Sequence, residues 1–106
     1  MPKYILVNKS RQPFNITTIP KEQVMQMMQA WGEWVGSMGA AVVDKGEAFN
    51  PGGKRVTNDG VTNGDEHAAG YLIIEAGNFD EALRLAKTSP IVVRGGSVEV
   101  YEAFGV

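Results

Sequence analysis

The sequence contains no cysteine and only one histidine, His67. A chain without cysteine forms neither a disulfide nor a thiolate metal site, and a reducing cytoplasm is its expected location. One histidine beside one or two carboxylates is a poor donor set for a metal ion. We therefore expect no metal site, and no motif in the sequence indicates a cofactor.

Basic clusters and long apolar runs are also missing. The net charge is −2, and Lys54-Arg55 is the only adjacent pair among the ten basic residues. This is too little local positive charge to bind a phosphate backbone. No segment approaches the ~20 apolar residues of a membrane span, and the apolar stretch near the N-terminus is too short for a signal peptide. We expect neither nucleic acid nor membrane as a partner.

What is present is the composition of a globular protein, with 43% hydrophobic and 21% charged residues. The 106 residues fit one domain, 1–106. Apolar residues at helical spacing predict an amphipathic helix over 20–38. Asn78 and Glu81 form a capping box at the start of a second helix, which Pro90 is expected to end. The predicted core strands are 4–7, 40–43, 70–76 and 97–101.

The order of these elements is strand, helix, strand, excursion, strand, helix, strand. This order is typical of the ferredoxin-like βαββαβ fold, an α+β class, with an insertion between the second and third core strands. The insertion is residues 44–69, and β-prone runs on either side of Asn58-Asp59-Gly60 predict a small hairpin inside it.

The first and third core strands are apolar on both faces, yet two helices cover only one face of a sheet. A second copy of the chain is the simplest cover for the other face, which predicts a homodimer that forms an α+β barrel. The alternative is that the excursion folds back over this face. The pattern does not say which strand face forms the seam, and the seam candidates are Tyr4, Leu6, Leu72, Ile74 and Tyr101.

Few residues carry chemistry. His67 is a candidate general base and Asp59 or Asp65 a candidate orienting acid. The alternatives are an exposed loop histidine and aspartates that stabilise turns. Arg94 is a candidate anchor for an anion. Trp34, Tyr71 and Arg94 are the candidate pocket residues, Trp34 because it lies at the edge of the apolar stripe of the first helix.

Several segments resemble the YCII-related proteins, in particular the branch that includes the DGPF-type proteins. The resemblance spans nearly the whole chain and is strongest in the third and last strands. Asp59-Gly60 matches half of the DGPF motif, since Val61-Thr62 follows. The segments are 1–7, 20–22, 54–61, 70–76 and 95–102.

The resemblance implies a ferredoxin-like fold, a dimeric α+β barrel, and a pocket between helix and sheet or near the dimer seam. YCII core members have a histidine on the first helix and an aspartate before a proline near the end of the second. Here no histidine lies within 20–38, and Ser89 precedes Pro90, so neither residue carries over. No residue indicates the sigma-factor link of the DGPF-type relatives.

Three functional hypotheses remain open at the level of sequence. The first is a homodimer that binds a small organic molecule, with or without a regulatory role. The second is a small lyase- or isomerase-like enzyme that uses the barrel pocket, and the third is a protein-interaction module. A deep apolar pocket favours the first two, and the position of His67 relative to that pocket distinguishes them.

Overall fold

The computed structural model describes residues 1–105, within which a four-stranded sheet packs against three α-helices and a two-stranded hairpin stands apart. The sheet strands are β1 (Lys3–Lys9), β2 (Val42–Ala48), β5 (Ala68–Glu75) and β6 (Ser97–Glu102), and the hairpin strands are β3 (Lys54–Thr57) and β4 (Gly60–Asn63). The helices are α1 (Lys21–Met38), α2 (Phe79–Lys87) and α3 (Pro90–Val93). Two short 3₁₀ helices, Ile16–Thr18 and Gly39–Ala41, complete the described elements.

The sheet strands are ordered β2-β5-β1-β6, and every neighbouring pair is antiparallel. Tyr4 lies opposite Ile74 and Leu6 opposite Leu72 in the pairing of β1 with β5. These four side chains are fully buried and form one cluster with Trp34 of α1. The chain is therefore an α+β protein whose core lies between one face of the sheet and the helices.

The position of this core corrects most of the predicted dimer seam. Tyr4, Leu6, Leu72 and Ile74 face the helices, so they are not available to a partner. Only Tyr101, which is 53% exposed, lies on the opposite face. Side chains alternate between the two faces of a strand, and both sets are apolar here, so the sequence pattern alone did not distinguish them.

The opposite face of the sheet, which we call the open face, carries the second apolar set. Ile5 pairs with Ile73 and Val7 with Tyr71, and all four side chains are half-buried. The helices within residues 1–105 pack against the other face. An apolar surface remains at the centre of the open face, as the strand pattern predicts.

Helix α1 agrees closely with its predicted range. Pro20 is its N-cap, and Gly39 follows its last residue with a φ of +56°, a conformation that favours glycine. The buried face is rotated from the predicted stripe, because Trp34 at its predicted edge is buried while Met28, predicted within it, is 55% exposed. The indole of Trp34 reaches the end of α2, and this contact turns that side of α1 inwards.

The excursion between the second and third core strands is shorter than predicted. The residues predicted to open the second strand form a 3₁₀ helix instead, and β2 runs from Val42 to Ala48. The predicted hairpin is present as β3 and β4, and every one of its strand residues is exposed. The radius of gyration is 14.5 Å, against about 13 Å for a compact chain of this length. The hairpin therefore projects outwards and does not cover the open face.

Helix α2 begins as predicted, since the side chain of Asn78 accepts a hydrogen bond from the backbone N–H of Glu81 at 2.8 Å. The helix ends at Lys87, before Pro90, and Pro90 opens the short helix α3. Proline suits the first turn of a helix because its missing N–H would have no partner there. Ser89 is the N-cap of α3 and is fully buried.

Candidate functional site

A cavity of about 400 Å³ lies between α1 and the β2–β5 edge of the sheet, with α3 at one side. This volume falls within the range of small-molecule sites. Most of the wall is apolar, and its larger side chains include Phe14, Met27, Trp31 and Ile91. The cavity is suited to the body of a small apolar molecule.

The floor of the cavity is formed where β2 and β5 approach each other closely. A Cβ atom at Gly46 would lie only 1.6 Å from the backbone oxygen of Tyr71, and one at Gly70 would lie 2.7 Å from the backbone oxygen of Glu47. Gly46 also has a φ of +70°. Glycine is therefore required at Gly46 and Gly70, because any side chain there would collide with the backbone of the neighbouring strand.

Gly32 lies in the opposite wall, on α1. A Cβ atom at Gly32 would meet no other atom within 4 Å, and the same is true of Gly36 one turn later. Glycine inside a helix costs about 1 kcal/mol relative to alanine. No packing contact requires either glycine, and the two differ in that Gly32 lines the cavity and Gly36 does not.

The polar group buried deepest in the cavity wall is the amide of Asn8. Asn8 follows Tyr4 and Leu6 on the core side of β1 and is 1% exposed. Its Oδ1 accepts a hydrogen bond from the hydroxyl of Ser89 at 3.3 Å, while its Nδ2 has no partner among residues 1–105. A buried donor without a partner costs about 1–3 kcal/mol.

Three charged residues border the cavity: Lys45, Glu47 and Arg94. Neither cation is in an ion pair within residues 1–105, where the only pairs join Lys9 to Asp65 and Glu99. Two cations against one carboxylate leave the mouth of the cavity with an excess of positive charge.

The structure places only one of the three predicted pocket residues in this wall, Arg94. Trp34 is buried beside the cavity, and its Nε1 donates to the hydroxyl of Thr88 at 2.9 Å. Trp31, one turn earlier, is the tryptophan in the wall. Tyr71 lies on the open face, where its ring stacks on that of Phe49 with 6.2 Å between the ring centroids.

Tyr71 also contacts a carboxylate on the open face. Its hydroxyl donates to Oδ2 of Asp44 at 3.4 Å. The negative charge of Asp44 raises the pKa of the Tyr71 phenol above its usual value, with burial as a second cause. The phenol therefore stays protonated at neutral pH and acts as a hydrogen-bond donor to Asp44, away from the cavity.

The predicted acid–base residues do not line the cavity. Asp59 lies in the exposed turn of the hairpin, and neither Asp65 nor His67 forms part of the cavity wall. Nδ1 of His67 lies 3.0 Å from the backbone oxygen of Ser10. Because a carbonyl only accepts, Nδ1 carries the proton in this contact. This hydrogen bond from His67 links the loop after β1 to the start of β5.

Asp65 also helps to hold the end of β1 to the segment that leads into β5. Its Oδ2 lies 2.6 Å from Nζ of Lys9, and its Oδ1 accepts a hydrogen bond from the backbone N–H of His67 at 2.9 Å. The hydrogen bond from Lys9 is the main cause that lowers the pKa of Asp65 below its usual value. The same bond raises the pKa of Lys9.

Among residues 1–105, no three histidine, aspartate or glutamate side chains are grouped so that they would hold a metal ion. No helix in this range has both the length and the apolar character needed to cross a membrane. Comparison with known proteins gave no match to a family model, a curated protein or a solved structure.

Asn8 is a polar wall residue that the sequence did not lead us to expect, and Ser89, which donates to it, lies behind the wall. The alternation of Tyr4 and Leu6 places Asn8 on the same face of β1, so a polar residue at an inward position was the available signal. No sequence signal indicated that Ser89, at the far end of the chain, would face it.

Proposed function

We propose that this chain binds a small, largely apolar organic molecule in the cavity under α1. The observation that carries the proposal is an apolar cavity of about 400 Å³ whose wall contains one buried amide with an unused donor. Ligand sites in proteins commonly combine an apolar wall with a few placed polar groups. The enzyme hypothesis is less well supported, because His67, Asp59 and Asp65 are not part of this wall.

The test compares two variants of α1. Gly32→Leu places a side chain at the cavity wall, whereas Gly36→Leu places the same side chain on the same helix outside it. A ligand that binds only the folded chain raises its melting temperature. We expect hits from a small-molecule thermal-shift screen to stabilise the natural chain and the Gly36→Leu variant but not the Gly32→Leu variant.

The site of binding is checked by NMR. Hits should shift the indole N–H signal of Trp31, which lies in the wall. If no molecule in the screen binds, or if hits stabilise the Gly32→Leu variant equally, the proposed site is wrong. The control is urea unfolding of both variants. If Gly32→Leu and Gly36→Leu unfold at the same urea concentration, the loss of binding in Gly32→Leu is not caused by a loss of folding.

We further propose that two copies pair through the open face and that the fold is ferredoxin-like, as in the YCII-related proteins. Support for the fold comes from the strand order β2-β5-β1-β6, which is the order expected when two βαβ units with antiparallel neighbours interlock. Support for the pairing comes from the apolar centre of the open face, where Ile5 adjoins Ile73 and Val7 adjoins Tyr71. A twofold axis through this centre would bury the same side chains from both copies.

Sedimentation velocity at micromolar concentration tests the pairing. We expect a dimer for the natural chain and a monomer for Ile5→Lys, because a lysine in the centre of the seam leaves a buried charge without a partner. Val56→Lys is the matched control, since Val56 is 76% exposed on the hairpin. A monomeric natural chain, or an Ile5→Lys variant that still dimerises, would rule this interface out.

A further inference from the structure

The amide of Asn8 indicates which functional group of a ligand would bond to it. Asn8 is 1% exposed and its Nδ2 has no partner within residues 1–105. Buried polar groups in folded proteins almost always have a hydrogen-bond partner. The other buried polar side chain within residues 1–105, that of Ser89, has partners, so Asn8 is an exception there and lies in the wall of a cavity.

In the structure the hydroxyl of Ser89 bonds to the oxygen of the Asn8 amide, which leaves the amide nitrogen without a partner among residues 1–105. Ser89 caps α3, and its Oγ accepts a hydrogen bond from the backbone N–H of Ile91 at 3.3 Å. One lone pair is therefore occupied, and the hydroxyl hydrogen is directed to an acceptor. Oδ1 of Asn8 is that acceptor at 3.3 Å, so Nδ2 is the unused end and the amide offers a donor.

The charges at the cavity also favour a ligand whose polar group is a hydrogen-bond acceptor. Lys45 and Arg94 border it with a single carboxylate, that of Glu47. A group with partial or full negative charge is attracted to this surplus of positive charge. A ligand whose polar end is a cation or a pure donor would meet two like charges and an amide N–H.

We infer that the ligand carries an oxygen acceptor, a carbonyl or a carboxylate, which accepts a hydrogen bond from Nδ2 of Asn8 while its apolar body lies against α1. Ser89 is a positioning residue that holds the amide in the donating orientation. This inference rests on the proposed ligand site and adds the chemistry of the ligand to it.

Three probes of similar shape test the inference on the natural chain. They are 4-phenylbutan-2-one, which has a carbonyl acceptor, 3-phenylpropionate, which has a carboxylate, and isopentylbenzene, which has no polar group. We expect the ketone or the carboxylate to bind at least tenfold more tightly than the hydrocarbon in an NMR titration. Tighter binding of the carboxylate would assign a role to the full charge, and equal binding would assign the preference to the amide alone.

The side-chain NH₂ signals of Asn8 provide a direct readout that needs no substitution. The ketone should move them, and the hydrocarbon should leave them nearly unchanged. Asn8→Leu should retain binding of isopentylbenzene and lose the tenfold preference for the acceptor. Ser89→Ala should reduce the preference as well, whereas a purely structural role of Ser89 would weaken binding of all probes alike.

The outcomes separate this inference from the proposed site. If isopentylbenzene binds in the cavity as tightly as the ketone, or if Asn8→Leu keeps the preference, the assignment of Asn8 is wrong while the cavity remains a ligand site. If neither the probes nor any hit of the wider screen shifts the Trp31 signal, both the site and the inference fail.

Discussion

The hydroxyl of Ser89 donates a hydrogen bond to Oδ1 of Asn8, and this contact joins the first strand of the sheet to the cap of the last helix. Both residues are buried. The contact leaves one donor of Asn8 unused at the wall of an apolar cavity. The proposed ligand site depends on this arrangement more than on any charged residue.

Gly46→Ala should strongly reduce the stability of the fold. The new Cβ would lie 1.6 Å from the backbone oxygen of Tyr71, and the φ of +70° adds backbone strain. We expect the free energy of unfolding, measured in urea, to fall by more than about 3 kcal/mol. Gly52→Ala is the control, because Gly52 also has a positive φ, +91°, but open space around it. It should lose only about 1–2 kcal/mol, and equal losses would contradict the proposed clash.

The ion pair of Lys9 and Asp65 predicts a pH dependence. The pKa of Asp65 is lowered in the folded chain, chiefly by the hydrogen bond from Lys9. The folded state therefore binds fewer protons at this group than the unfolded state, so its stabilisation is present above about pH 4 and is lost as the pH falls further. Lys9→Met should raise the pKa of Asp65 in an NMR titration of its carboxyl carbon.

Lys54→Met is the matched control for this titration, because Lys54 lies on the hairpin and bonds to Asn63 instead. It should leave the pKa of Asp65 unchanged. A pKa of Asp65 that does not respond to Lys9→Met would contradict the assignment of Lys9 as the main cause.

The two tryptophans should differ in what they contribute. Trp34→Phe removes the hydrogen bonds from Nε1 to Thr88 and to the backbone oxygen of Leu85, which join α1 to the end of α2. We expect a loss of about 2 kcal/mol in the free energy of unfolding. Trp31→Phe should cost less, because Trp31 is only half-buried, but it should change ligand affinity. The reverse pattern in urea unfolding would contradict the assignment of Trp34 to the core.

The hairpin should be dispensable for folding. All residues of β3 and β4 are exposed, and the backbone N–H of Gly64 donates to the oxygen of Gly53 at 2.9 Å, so the two ends already meet. Replacement of residues 54–63 by a two-residue Asn-Gly turn should change the free energy of unfolding by less than about 1 kcal/mol.

A longer replacement that extends to residue 67 should cost much more. It also removes Asp65 and His67, which bond to Lys9 and to Ser10. Urea unfolding of the two replacements checks the difference, and equal losses would contradict the stabilising role of the Asp65 and His67 contacts.

Local physical chemistry explains why several elements were predictable from the sequence. The helix cap at Asn78 and the glycine after Met38 depend on residues within a few positions of each other. The turn at Asn58-Asp59 depends on neighbours in the same way. In the turn, Gly60 rather than a central residue takes the positive φ, which is +140°, and this detail was not expected.

The site was only partly predictable, because its parts lie far apart in the chain. Arg94 was expected and does line the cavity. Trp34 was preferred to Trp31 as a pocket residue because it lies at the edge of the helical stripe. In the structure Trp34 is buried instead, and its Nε1 bonds to Thr88 near the end of α2. Tyr71 was expected in a pocket, and the register of β5 places it on the open face instead.

The sequence by itself determined the kinds of elements, their order and the α+β class, because these depend on short-range periodicity and capping. It also determined that the sheet has two apolar faces. Only the tertiary structure decided which face the helices cover, since a period of two treats both faces alike. Only the tertiary structure placed Ser89 against Asn8 and left a donor unused, because that hydrogen bond joins two positions that no local pattern connects.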